Sequence, residues 1–78
     1  IFMKSVQVCL NTIDRVKNFV NVVSKYEYKF ELIAGKSIIN AKSIMGIFSL
    51  DLTKPICMNI YADEKVDHVI DALAFYII

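Results

Sequence analysis

Few residues of this 78-residue chain have the type and spacing to do chemistry. The first is Ser43, which precedes Ile44-Met45-Gly46-Ile47-Phe48 in the run INAKSIMGIFSL (39–50). It stands where a helix N-cap belongs, a role worth ~1 kcal/mol by itself. A phosphate on the same hydroxyl would lie among unpaired backbone N–H groups at the positive end of a helix, where an added charge of about −2 is tolerated or favoured. The position suits a modification that changes charge without unfolding the chain. Behind it, Ile44, Met45, Ile47 and Phe48 form an apolar patch of which only part can face a core. The remainder is expected to be an exposed anchor beside a switchable charge, a docking surface for a protein partner.

The other reactive residue types are sparse. Asn11 and Thr12 precede an amphipathic run as N-cap candidates, and Asp14 falls in its first turn, where a negative charge suits the helix dipole. His68 is the only histidine. It lies off the Val66-Val69-Ile70-Leu73 stripe, near Glu64 and Asp71 at helical spacing, and reads as a solvated surface residue. Cys9 and Cys57 fit neither a zinc pattern nor a disulfide framework and read as free thiols of a reducing compartment. With one histidine, no cysteine pair at ligand spacing and no glycine-rich loop, metal, nucleotide and nucleophilic-enzyme readings lack residues. No cofactor, metal or enzymatic activity is expected.

The elements that must position Ser43 and Thr12 follow from periodicity. Phe2 to Val8 roughly alternates, as in a half-buried strand. Ile13, Val16, Phe19, Val20 and Val23 then recur at spacings of three and four, one apolar helix face. YEYKFEL (26–32) alternates Tyr26, Tyr28, Phe30 and Leu32 against Glu27, Lys29 and Glu31. Gly35-Lys36 supplies a hairpin turn into SIIN (37–40). A short helix of about two turns follows Ser43 and closes before Pro55. ICMNIYA (56–62) is another strand, and Asp63 is expected to cap a final helix with its apolar face on Val66, Val69, Ile70, Leu73 and Ile77. The order strand, helix, strand, strand, helix, strand, helix predicts an α+β open-faced sandwich, an antiparallel sheet covered by helices on one face. Alternation in the strands requires the other face to be wet.

Length and charge narrow the function. A chain of this size forms one domain, 1–78, and buries only ~60% of the surface its unfolded form exposes, which disfavours a large catalytic cleft. Nine basic and eight acidic residues, interspersed, give a net charge of +1. Nucleic-acid binding has no electrostatic footprint here. No apolar run approaches the ~18 residues of a membrane span, and IFMKSVQVCL (1–10) lacks the apolar core and cleavage site of a signal peptide.

INAKSIMGIFSL resembles the regulatory-serine segment of the histidine-containing phosphocarrier protein of the bacterial phosphotransferase system, HPr. The order of elements matches that family's βαββαβα fold, with a four-stranded antiparallel sheet and three helices on one face. The resemblance spans nearly the whole chain and is specific in residues 39–50. It implies a cytoplasmic protein. In Gram-positive relatives the serine matching Ser43 is phosphorylated by a dedicated kinase, and the phosphoprotein acts as corepressor with the catabolite control protein. By resemblance Ser43 is the phosphosite, with Ile44, Ile47 and Phe48 in the docking patch and Thr12 and Arg15 beside it.

The same resemblance exposes a departure. The family's carrier histidine opens the first helix in a motif reading roughly Gly-x-His-Ala-Arg-Pro-Ala. Counting back from Ser43 without gaps, the histidine position falls on Thr12, the arginine on Asp14 and the proline on Arg15. Imidazole is a nucleophile near neutral pH and a good leaving group, whereas a threonine hydroxyl needs a strong base and forms a stable ester. Asp14 puts a carboxylate where an incoming phosphate would want a cation. The chain is similar in this respect to family paralogues that lack the histidine, keep the serine and act only in regulation. A regulatory module in carbon catabolite regulation is therefore expected, with a serine kinase, a transcriptional repressor or a sugar-system component as partner. The alternatives are a phosphotransferase-system phosphocarrier and a constitutive interaction or oligomerisation domain using the apolar end AFYII (74–78). If the sheet order follows the family, Cys9 and Cys57 approach one another.

Overall fold

The computed structural model describes residues 2–78. The chain runs β1 (Phe2–Val8), α1 (Ile13–Val23), β2 (Lys29–Ala34), β3 (Ser37–Asn40), α2 (Ile44–Phe48), β4 (Ile56–Ala62) and α3 (Asp67–Ala72). The four strands form one antiparallel sheet in the order β1-β4-β2-β3. The α+β open-faced sandwich expected from the alternation is thus the observed architecture.

Register divides the residues between two faces. Lys4, Ile60 and Phe30 share one row across the sheet, and Val6, Met58, Leu32 and Ile39 the next. These rows face Val16, Phe19 and Val23 of α1, Ile47 of α2 and Val69 of α3 in a single buried cluster. The alternate rows, Met3-Tyr61-Lys29 and Ser5-Asn59-Glu31-Asn40, lie on the open face. Asn59 is buried there because β4 is an interior strand, and the Ser5 hydroxyl satisfies it, donating to Oδ1 at 2.6 Å. The hairpin turn uses Gly35 at φ +61°, in the left-handed region that a side chain resists. A positive φ at the first of two loop residues matches the turn that preserves strand twist.

Several elements differ from their sequence-based bounds. β2 starts at Lys29, so Tyr26 and Tyr28 precede the strand. Ile13 is 63% exposed and does not belong to the buried face of α1. α2 is shorter than two turns. α3 is capped by Val66 without any side-chain bond, so Asp63 is not its cap. Beyond Ala72 the helical period gives way to turns: Tyr76 is buried edge-on against Phe19, with ring centroids 5.6 Å apart, and Ile77 bridges Val8 in an antiparallel pair. That packing ends the helix, because Ile77 cannot both complete a helical stripe and pair with a strand.

Candidate functional site

The Ser43 site is built by the β3–α2 connection. The Ser43 N–H donates to Asn40 O at 3.0 Å, and the Asn40 side chain accepts from the Lys42 N–H at 2.9 Å, which fixes the approach to the helix. Ser43 is the N-cap of α2 (φ −97°, ψ 104°), and its Oγ accepts from the Gly46 N–H at 3.1 Å. It is partly exposed, so the hydroxyl caps the helix while remaining at the surface. Gly46 is required there by a close approach rather than by backbone freedom. A Cβ at this position would lie 2.7 Å from Ile39 Cγ2 and 3.1 Å from Ser43 Oγ.

The apolar patch divides as its size demands. Ile47 is fully buried in the core and cannot belong to a docking surface, which corrects its expected role. On a helix this short, one residue must anchor the element to the sheet, and Ile47 does so. Ile44 is half-buried, while Met45 and Phe48 are 76% and 39% exposed. Met45, part of the expected apolar patch, is therefore the most exposed apolar group of the site. Lys42, the nearest cation in sequence, is directed elsewhere: its Nζ donates to Tyr26 O at 2.6 Å and lies over the Phe30 ring.

Thr12 is the N-cap of α1, its Oγ1 accepting from the Arg15 N–H at 3.1 Å. Asn11, the other candidate, is not the cap. The Arg15 side chain is committed to main-chain carbonyls next to that end of the helix. Its guanidinium donates to Cys9 O from Nε at 3.1 Å and from Nη2 at 3.0 Å, and to Phe75 O at 3.1 Å. It also stands 4.6 Å from the centroid of Phe75 and 5.2 Å from that of Tyr76. Arg15 thus fastens the β1–α1 connection to the end of the chain. No local periodicity announces this contact, which spans most of the sequence.

His68 is exposed, as expected, yet it packs edge-on against Tyr26 and Tyr28, at 5.9 and 6.2 Å between ring centroids. The Tyr28 hydroxyl donates to Glu64 Oε1 at 2.7 Å, and this bond to a carboxylate raises the tyrosine pKa above its ordinary value. The structure brings His68 and Glu64 to the same tyrosine, and neither to Thr12 or Asp14 by any hydrogen bond. Cys9 and Cys57 are free and half-buried. Among the described residues, no group of three or more His, Cys, Asp and Glu is placed to hold a metal ion. Among the same residues, no helix is long and apolar enough to cross a membrane.

Residues 15–77 match the family model described as the phosphotransferase-system HPr component phosphorylation site. The match begins at Arg15, just after Thr12. Among solved structures, the chain is similar to a phosphocarrier protein HPr from Bacillus anthracis, at 26% identity and a TM-score of 0.71, over 99% of this chain and 96% of that one. It is also similar to HPr-C-His from Thermoanaerobacter tengcongensis, at 24% identity and a TM-score of 0.73, over 96% and 89%. The histidine-containing phosphocarrier protein of a Mycoplasma shares the fold at 20% identity and a TM-score of 0.67, over 95% and 89%. No curated protein sequence matches the chain. A family match over most of the sequence, on a fold shared with its solved members, leads to one conclusion: the chain belongs to the HPr family of the phosphotransferase system.

Proposed function

We propose that this HPr-family chain is a regulatory binding module switched by phosphorylation of Ser43, and that it does not relay phosphoryl groups. The observation that carries the reading is the pairing of Ser43 with exposed apolar side chains. Its hydroxyl stands at the N-terminus of α2, and Met45 and Phe48 project from the same short helix. A phosphoserine there would keep acceptor oxygens near the Gly46 N–H and add charge beside an apolar anchor, which alters what docks without dismantling the fold. Carbon catabolite regulation is the physiological setting, with a kinase and a transcriptional repressor or sugar-system protein as partners.

Against a carrier role stands the residue at the first helix. Thr12 is engaged as a cap, and the single imidazole of the chain is on α3 against two tyrosines. Incubation with an HPr serine kinase and ATP, followed by intact-mass and fragment analysis, tests the switch. The expected product carries one addition of about 80 Da at Ser43; no addition, or addition elsewhere, ends the proposal. Treatment with phosphoenolpyruvate and the first enzyme of the sugar system is expected to leave no acid-labile phosphate.

A second reading, self-association, is favoured by Phe75 and Ile78, which are 75% and 70% exposed at the end of the chain. Sedimentation over a wide concentration range separates it from the first. A mass that stays monomeric removes it.

A further inference from the structure

We infer that the outer edge of β1 is a docking site for an extended peptide strand, with an acidic residue opposite Lys4 flanked by apolar residues. The edge is already part-occupied by the chain itself. The Cys9 N–H donates to Tyr76 O at 2.8 Å and the Ile78 N–H to Gln7 O at 3.0 Å, on either side of the Val8–Ile77 bridge. These bonds fix which peptide groups face outward. In an antiparallel strand both backbone groups of alternate residues point the same way, so Met3 and Ser5 share the outward orientation of Gln7. Lys4 and Val6 turn theirs toward β4, where they pair with Ile60 and Met58. Between Phe2 and Val6 the edge therefore presents a row of donors and acceptors that no described residue takes up.

Beside this free edge lies a cavity of about 250 Å³ lined by Phe2, Met3, Lys4, Glu64, Val66 and Asp67, among others. A backbone ladder with an adjoining recess for alternate side chains is the arrangement by which sheets take up peptides. The recess is mixed in charge, with Lys65 beside Glu64 and Asp67, so the occupant follows from the one charge that the edge strand itself carries. Along the side-chain row of the edge that faces the helices, Lys4 stands between Phe2 and Val6, so a strand continuing the register of Ile78 would set an acid opposite Lys4 and apolar groups opposite its neighbours. A second copy fits poorly. Two-fold pairing centred on Lys4 opposes two lysines, and pairing centred on Ser5 runs Met3 against a Gln7 that Ile78 already holds. An edge lysine is a common guard against such self-pairing.

The probe is the blocked peptide Val-Thr-Glu-Thr-Val, added to the isotopically labelled chain and followed by amide resonances and hydrogen exchange. Saturable shifts and slowed exchange are expected at Met3 and Ser5. The analogue with lysine for glutamate is expected to bind about fivefold more weakly, from the change of an opposite-charge pair to a like one. Methylation of the two threonine nitrogens of the probe is expected to abolish binding, and it leaves the protein untouched. Met3→Pro, which removes an outward N–H at an edge position that tolerates proline, is expected to do the same with the rest of the spectrum retained. Absence of saturation at millimolar probe, shifts confined to the β3 edge, equal binding of the lysine and methylated peptides, or self-association in place of binding would each overturn the inference.

Discussion

The guanidinium of Arg15 and the main chain of Phe75 are joined by a 3.1 Å hydrogen bond, while the same cation lies over the Phe75 ring. With two further bonds to Cys9 O, this single side chain links the first helix to both neighbouring segments of β1 and the chain end. The planar fork of Arg15 reaches both carbonyls in a fixed geometry, which the compact ammonium of a lysine on its flexible stem does not reproduce.

Arg15→Ala is accordingly expected to destabilise the fold by about 1.5–3 kcal/mol, the range for hydrogen bonds made by a charged group. Arg15→Lys is expected to recover less than half of that loss. Urea denaturation measures both, and amide exchange should report earlier opening at Ile77 and Ile78 than in the parent. Unchanged exchange there would show that the end of the chain is held by Tyr76 alone.

Ser43→Ala removes the cap of α2 and is expected to cost ~1 kcal/mol, whereas Ser43→Asp keeps an acceptor for the Gly46 N–H and adds a charge suited to a helix N-terminus. The aspartate variant should therefore unfold within a few degrees of the parent by calorimetry. A large loss for Ser43→Asp would mean that the site rejects negative charge, and the phosphoserine reading would fall with it.

Gly46→Ala opposes two effects of known sign. Alanine improves helix propensity by ~1 kcal/mol, but its Cβ meets Ile39 Cγ2 at 2.7 Å. Overpacking of this kind costs roughly 1–3 kcal/mol, so net destabilisation is expected. Ile39→Ala removes the obstructing methyl, and in that background Gly46→Ala should become neutral or stabilising. A double-mutant cycle reads the coupling directly; additivity would refute the contact.

What the sequence made legible here was what is local. Ser43 as a cap rests on a bond to a residue three positions on, and Thr12 likewise, so residue type and spacing sufficed. The alternation of Phe30 and Leu32 with Lys29 and Glu31 gave the open-faced sheet, and Pro55 marked the start of β4. Leu73 and Ile77 keep the helical period, which predicts helix on through the end of the chain. Burial of Tyr76 against Phe19 and pairing of Ile77 with Val8 override it, and both partners lie in the first quarter of the chain. The Arg15 clamp and the Tyr26-Tyr28-His68 cluster carry no sequence signal for the same reason: long-range contacts leave no spacing to count. Amphipathicity over five residues cannot say which apolar group turns inward, so it does not separate the buried Ile47 from its exposed neighbours.

Tyr28 provides a test by pH. Its bond to the Glu64 carboxylate favours the neutral phenol, raising the folded pKa above the ordinary value near 10. A group raised in the folded state contributes stability that is complete below the unfolded value and is lost as pH rises through the folded one. The parent is therefore expected to lose stability above about pH 10, and Tyr28→Phe to show a flatter alkaline limb. Glu64→Gln should bring the Tyr28 titration, followed by ultraviolet absorbance, back toward its ordinary range. Identical limbs in parent and Tyr28→Phe would place the alkaline transition on another tyrosine.

Thr12→His asks whether an imidazole alone makes a carrier. The substitution gives up a good N-cap, so a loss of ~1 kcal/mol is expected. Its chemistry is the sharper readout. A phosphoryl group arriving at the first turn of α1 would meet the Asp14 carboxylate, while the Arg15 guanidinium is committed to Cys9 O and Phe75 O. Charge-assisted bonds to the transferred group are then lacking where they matter. Thr12→His is expected to take up little acid-labile phosphate from phosphoenolpyruvate and the first enzyme of the sugar system, and the pair Thr12→His with Asp14→Arg to take up distinctly more. Transfer to the single variant at the rate of an active HPr would show that the charge around residue 12 does not limit phosphoryl transfer.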